Sequence, residues 1–270
     1  MSDWIFTYLL YVGELLLLTL GTFVVCGLAV QLCAGCFRRL IGSGAETVFD
    51  VTAVLGTPIH ELGHAVMCLL FGHRIERIKL WSPTAKKGMY GYVEHSYNSK
   101  NPWAQLGNLF IGMGPLFSGL GVVILMLWLC FPTPWGVYLS FSREVIEQGA
   151  GAAELIAGAF RLFTGLFESF QANWLRALIG LCVILPVSLH VTLSWQDLKN
   201  SAGAFPLYLL MLAVFAVVTS AFGVQGIVLG WLRLANLRLW SLFLTVLLFS
   251  AAWVCVGLLA RLLRAIVRAF

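Results

Sequence analysis

Apolar residues run through this chain in six long stretches separated by short polar breaks. They lie near Ile5–Ala34, Ala45–Phe71, Ala104–Phe131, Leu175–Trp195, Pro206–Leu232 and Leu239–Leu263. About 20 apolar residues in a helix cross the hydrocarbon core of a bilayer, so each stretch predicts a transmembrane helix. Trp103, Trp135, Trp174, Trp195, Trp231 and Trp240 stand near segment ends, where amphipathic rings favour the membrane–water interface.

Two segments depart from this pattern. Residues 73–98 are polar and basic, and two short β-prone runs, Arg74–Trp81 and Tyr90–Val93, flank Pro83 and Gly88. That arrangement predicts a β-hairpin between the second and third spans. Over residues 142–173, Glu154, Arg161 and Glu168 recur seven apart while Leu155, Phe163, Leu166, Phe167 and Phe170 fill other faces. An amphipathic helix lying in the interface before the fourth span is expected there. The fold class is therefore an all-α polytopic membrane protein of about six transmembrane helices. With no repeat or linker, residues 1–270 form a single domain.

Composition strengthens the membrane assignment. Of 270 residues, 60% are hydrophobic and 11% charged, with a mean hydropathy of +0.91. A soluble domain carries roughly 25% charged residues. The net charge of +5 accompanies no basic and aromatic patch of the kind that binds nucleic acid, and it bears on orientation and lipid instead. With six spans, ten Lys and Arg fall on the side of the termini and seven on the other, which places both termini in the cytoplasm of a bacterial-type cell membrane. The seven cysteines sit mostly in apolar runs and read as small core residues. Cys33 and Cys36 make a lone Cys-x-x-Cys with no second pair nearby.

The second stretch contains His60-Glu61-Leu62-Gly63-His64. Residues four apart share a helix face, so His60 and His64 can offer imidazole nitrogens to one Zn²⁺ ion. Glu61, beside the first ligand, is placed to serve as the catalytic general base on water. Ionisable groups in mid-span are costly and mark function by default. A polar cluster that merely joins helices is the bland alternative. A third ligand is required. His73 lies nine residues beyond His64, past Gly72, and fits poorly. His190, Ser194 and Asp197 follow helical spacing at the end of the fourth stretch. Asp197 is the first choice of ligand, with His190 as second choice or as a partner that orients a ligand. Asn108 in the third stretch is a candidate oxyanion donor or helix-packing residue.

These residues resemble the site-2 protease family of intramembrane zinc metalloproteases over roughly residues 57–203. That family carries His-Glu-x-x-His in a transmembrane helix, then a β-hairpin, then an aspartate ligand from a later helix. Gly114-Pro115-Leu116-Phe117-Ser118 is similar to its Gly-Pro-x-x-Asn, with Ser118 in place of the Asn. The Leu-Asp-Gly surrounding the family's third ligand is replaced here by Gln196-Asp197-Leu198-Lys199, and no PDZ or CBS-like domain is present. The resemblance implies hydrolysis of peptide bonds in transmembrane proteins or peptides, with lipid as the other partner. Two alternatives stand beside it: a catalytically inactive zinc-binding scaffold or permeation protein, and a prenyl-protein-processing or heat-shock type membrane metalloprotease. In the last case Glu144, Glu147, Glu154 or Glu168 would supply the third ligand. The sequence names no substrate-binding residue.

Overall fold

The computed structural model describes residues 2–82, 90–148 and 152–269. Helix α1 (Ser2–Leu16) passes through one wide turn at Leu17–Gly21 into α2 (Thr22–Ile41), and a tight turn at Gly42–Gly44 leads to α3 (Ala45–Leu70). Strands β1 (Arg74–Lys79) and β2 (Tyr92–Ser96) follow, then α4 (Pro102–Cys130), α5 (Pro132–Gln148), α6 (Ala152–Ala172) and α7 (Trp174–His190). The short α8 (Trp195–Ala202), α9 (Phe205–Ala221) and the 45-residue α10 (Gln225–Ala269) complete the chain.

Local chemistry sets the boundaries. Asn101 caps α4 by accepting from the Trp103 amide at 3.0 Å, with Pro102 pre-shaping the first turn. Asn173 caps α7 through the Arg176 amide, also at 3.0 Å. Helix α3 stops at Gly72, whose φ of +71° lets the His73 amide reach back to the Cys68 carbonyl at 2.8 Å. The chain then turns directly into the predicted hairpin. Its strands are antiparallel, pairing Ile75 with His95 and Ile78 with Val93, and the register shifts around Glu76.

Lipid tails are as apolar as leucine, so the helices must be held by close packing and by polar pairs between them. Helices α3 and α4 meet at Gly63 and Gly114, where an added Cβ on Gly63 would lie 2.4 Å from the Gly114 carbonyl oxygen. The core behind them contains Leu15, Phe23, Val30, Leu116, Ile184, Leu193 and Phe243, all nearly inaccessible. On the α1–α2 side, Asn236 of α10 donates to the Leu18 carbonyl and to the Thr22 hydroxyl, each at 2.7 Å. The wide turn at Leu17–Gly21 disturbs regular helix bonding, and Asn236 satisfies one of its carbonyls. Glu14 pairs with Arg233 at 2.5 Å. The Arg264 guanidinium grips the end of α2 through the Leu40 and Ile41 carbonyls, both at 2.6 Å.

Among the described residues, three helical stretches are long and apolar enough to cross a membrane: Trp4–Leu70, Pro102–Cys130 and Gln225–Arg268. Counting α7 and α8, bent by 57°, as one broken span raises the number to four. The helix boundaries thus differ from six separate stretches in three places. The first two stretches are joined in 67 helical residues. The fifth stops early at Ala221, where Gly223 takes a φ of +67°, and α10 then runs unbroken through the polar residues that separated the fifth and sixth stretches. Residues 142–173 divide between the end of α5 and α6, and α6 buries Leu162 and Leu166 in the bundle. Pro83 and Gly88 lie outside the described residues, as do the side chains of Glu144, Glu147, Glu154 and Leu155.

Candidate metal centre

The helical spacing of His60 and His64 does what it predicts. Their Nε2 atoms lie 3.2 Å apart, close to the roughly 3.3 Å that two nitrogens subtend in a tetrahedral zinc site. Asp197 completes the group: Oδ1 is 3.5 Å from the His64 Nε2 and Oδ2 is 3.9 Å from the His60 Nε2. One donor atom from each residue falls within 4.8 Å of the others.

The orientation of the rings comes from backbone carbonyls. His60 Nδ1 lies 2.7 Å from the His190 carbonyl oxygen, and His64 Nδ1 lies 2.7 Å from that of Ile111. A carbonyl only accepts, so each Nδ1 carries the proton and each Nε2 presents a bare lone pair. Two lone pairs and a carboxylate therefore face one point. That donor set fits a transition-metal cation, zinc among them.

Both carbonyls are free for a specific reason. In a regular helix the Ile111 carbonyl would accept from the amide of residue 115, but Pro115 has no N–H. The His190 carbonyl would accept from the Ser194 amide, but the chain breaks after α7 and that amide donates to Asp197 Oδ2 at 3.2 Å. Ser194 returns the bond, its hydroxyl accepting from the Asp197 amide at 3.1 Å. Asp197 is thus at once a carboxylate facing the His60–His64 pair and half of the capping box that starts α8. This corrects the expectation that His190, Ser194 and Asp197 share the face of one continuous helix: they meet across the 57° bend.

The remaining candidate residues separate. Glu61 is 7% exposed and borders, with His60 and His64, a cavity of about 500 Å³. Asn108 lines the same cavity while its amide donates to the Gln105 carbonyl at 3.2 Å. Ser118 donates to the Pro115 carbonyl and packs near Gly63 at the α3–α4 contact. His190 contributes its carbonyl rather than its ring, which pairs with Thr52 at 3.0 Å and meets Phe49 edge-on. Tyr90, Gly91, Tyr92, Val93 and His95 form the hairpin wall. The Tyr90 hydroxyl donates to Asp50, and burial, with that bond, pushes its pKa up to about 12. It stays a neutral donor at ordinary pH.

A second group was not expected from the sequence. Cys68, His73 and His95 place one donor atom each within 4.8 Å of one another. His73, which fits poorly as a third ligand for the His60 site by its spacing, stands in this separate group instead. Burial first, then His73 and His64, hold the His95 imidazole below its ordinary pKa. The Schellman turn at Gly72 was the available signal, since it folds residue 73 back over residue 68. No protein-family model, curated protein or solved structure matches the chain.

Proposed function

We propose that this chain is an intramembrane metalloendopeptidase of the site-2 protease type, acting on transmembrane proteins or peptides. The observation that carries the reading is the convergence of His60, His64 and Asp197 beside buried Glu61, on a helix within an apolar stretch long enough to cross a membrane. Zinc held by those three residues would supply Lewis acidity toward the scissile carbonyl and toward water. Glu61 takes the proton from the attacking water and delivers it to the departing amide nitrogen. Asn108, on the cavity wall, turns its amide from Gln105 toward the oxygen where negative charge develops.

The substrate must first unwind, because a helix shields its peptide bonds with its own hydrogen bonds. Strand β2 borders the cavity through Tyr92, Val93 and His95, and it holds the unwound segment by strand addition. In this reading α1–α2, α3, α4, α7–α8, α9 and α10 each make one pass, giving six, with both termini in the cytoplasm.

The test is cleavage of a labelled transmembrane peptide by protein reconstituted in vesicles, with and without chelator. Glu61→Gln should keep its metal and lose about 10²–10⁴-fold in turnover. Undiminished turnover would sink the protease reading. Metal retention with no turnover in the native protein would favour a non-catalytic zinc scaffold.

A further inference from the structure

We propose that Cys68, His73 and His95 form a second metal site, for a zinc-class divalent cation, that clamps the hairpin to the end of α3. It is independent of the protease reading and would stand if that reading failed. Cys68 is fully buried on the last turns of α3, and His73 is 4% exposed just beyond Gly72. His95 sits across the hairpin from Ile75, on the strand that borders the cavity.

The protonation pattern leaves a lone pair on His73 that a cation can use. His73 Nε2 donates to the Ala104 carbonyl at 2.7 Å, which fixes its proton there and leaves Nδ1 bare. That Nδ1 faces His95 Nδ1 at 3.0 Å, near the roughly 3.3 Å expected of two nitrogens on one tetrahedral zinc. Tyr97 stacks on the His73 ring at 4.7 Å, fixing its plane. The site is therefore built: one ring is oriented by a carbonyl and an aromatic face, and a thiol completes the donor set. A thiolate with two imidazoles selects borderline-soft cations. On binding, the Cys68 thiol releases its proton to solvent and the His95 proton moves to Nε2.

The geometry gives the cation a mechanical task. His64 and Cys68 are one turn apart on α3, so the same helix carries both centres. Joining Cys68 to His95 fixes the height of β2 above the His60–His64 pair.

Cobalt discriminates the two centres, because only this one contains sulfur. Purified protein loaded with Co²⁺ should show a sulfur-to-cobalt charge-transfer band in the near ultraviolet. His60→Ala/His64→Ala should keep the band and lose one metal equivalent. Cys68→Ser should abolish the band. His95→Gln, at a half-exposed strand position, should weaken Co²⁺ binding by about 10-fold or more. A native protein with no band, or a band that survives Cys68→Ser, overturns the site. In the His60→Ala/His64→Ala background, chelator should accelerate amide exchange over residues 92–96; unchanged exchange overturns the clamp.

Discussion

At the scale of single residues, the two imidazoles of the candidate centre depend on carbonyls that an unbroken helix would have consumed. Pro115 touches no ligand in this account, yet it leaves the Ile111 carbonyl for His64. Pro115→Ala restores a competing amide, and metal affinity should fall by about 10-fold or more in a competition titration while all three ligands remain. Asp197→Asn separates the two duties of that side chain. An amide oxygen still accepts from the Ser194 amide, so thermal unfolding should move little, while metal content falls sharply on loss of the charge. Equal loss of stability and metal would show that Asp197 acts only as a cap. His60, Glu61 and His64 were legible because their spacing is itself the chemistry. The carbonyls of Ile111 and His190 were not, since every residue carries one and only the surrounding bonds decide which is spare.

At the scale of elements, the close packing of α3 on α4 rests on Gly63 against Gly114. A Cβ on Gly114 would meet the Gly63 carbonyl oxygen at 2.5 Å. Gly114→Val should therefore cost about 1–3 kcal/mol in unfolding of the solubilised protein, and weaken metal binding as α4 is pushed from α3. The hairpin and the end of α3 were readable from Gly72 and the polar run after it. The break at residues 191–193 was not, because Val191, Thr192 and Leu193 continue an apolar run and hydropathy carries no mark of a bend. The opposite error arose at residues 233–238. Polar residues there suggested a boundary, but Asn236 and Arg233 find partners on the α1–α2 side and the helix continues.

At the scale of the molecule, composition alone identified a membrane protein, and helices long enough to cross a bilayer agree with it. The number of passes was harder to read because helical backbone continues across the breaks at residues 42–44 and 233–238. Helix α10, at 45 residues, extends about 67 Å, while a hydrocarbon core is about 30 Å thick. Its excess must tilt or emerge, and Arg264 ties it to the end of α2, three residues before the helix that carries His60 and His64. A change in bilayer thickness that alters the lean of α10 would reach, through Arg264, the turn that leads into α3. Under the proposed protease reading, turnover in vesicles of graded acyl-chain length should peak at one thickness and fall on either side, and Arg264→Ala should flatten that peak. The protein would then sense the depth of its own solvent.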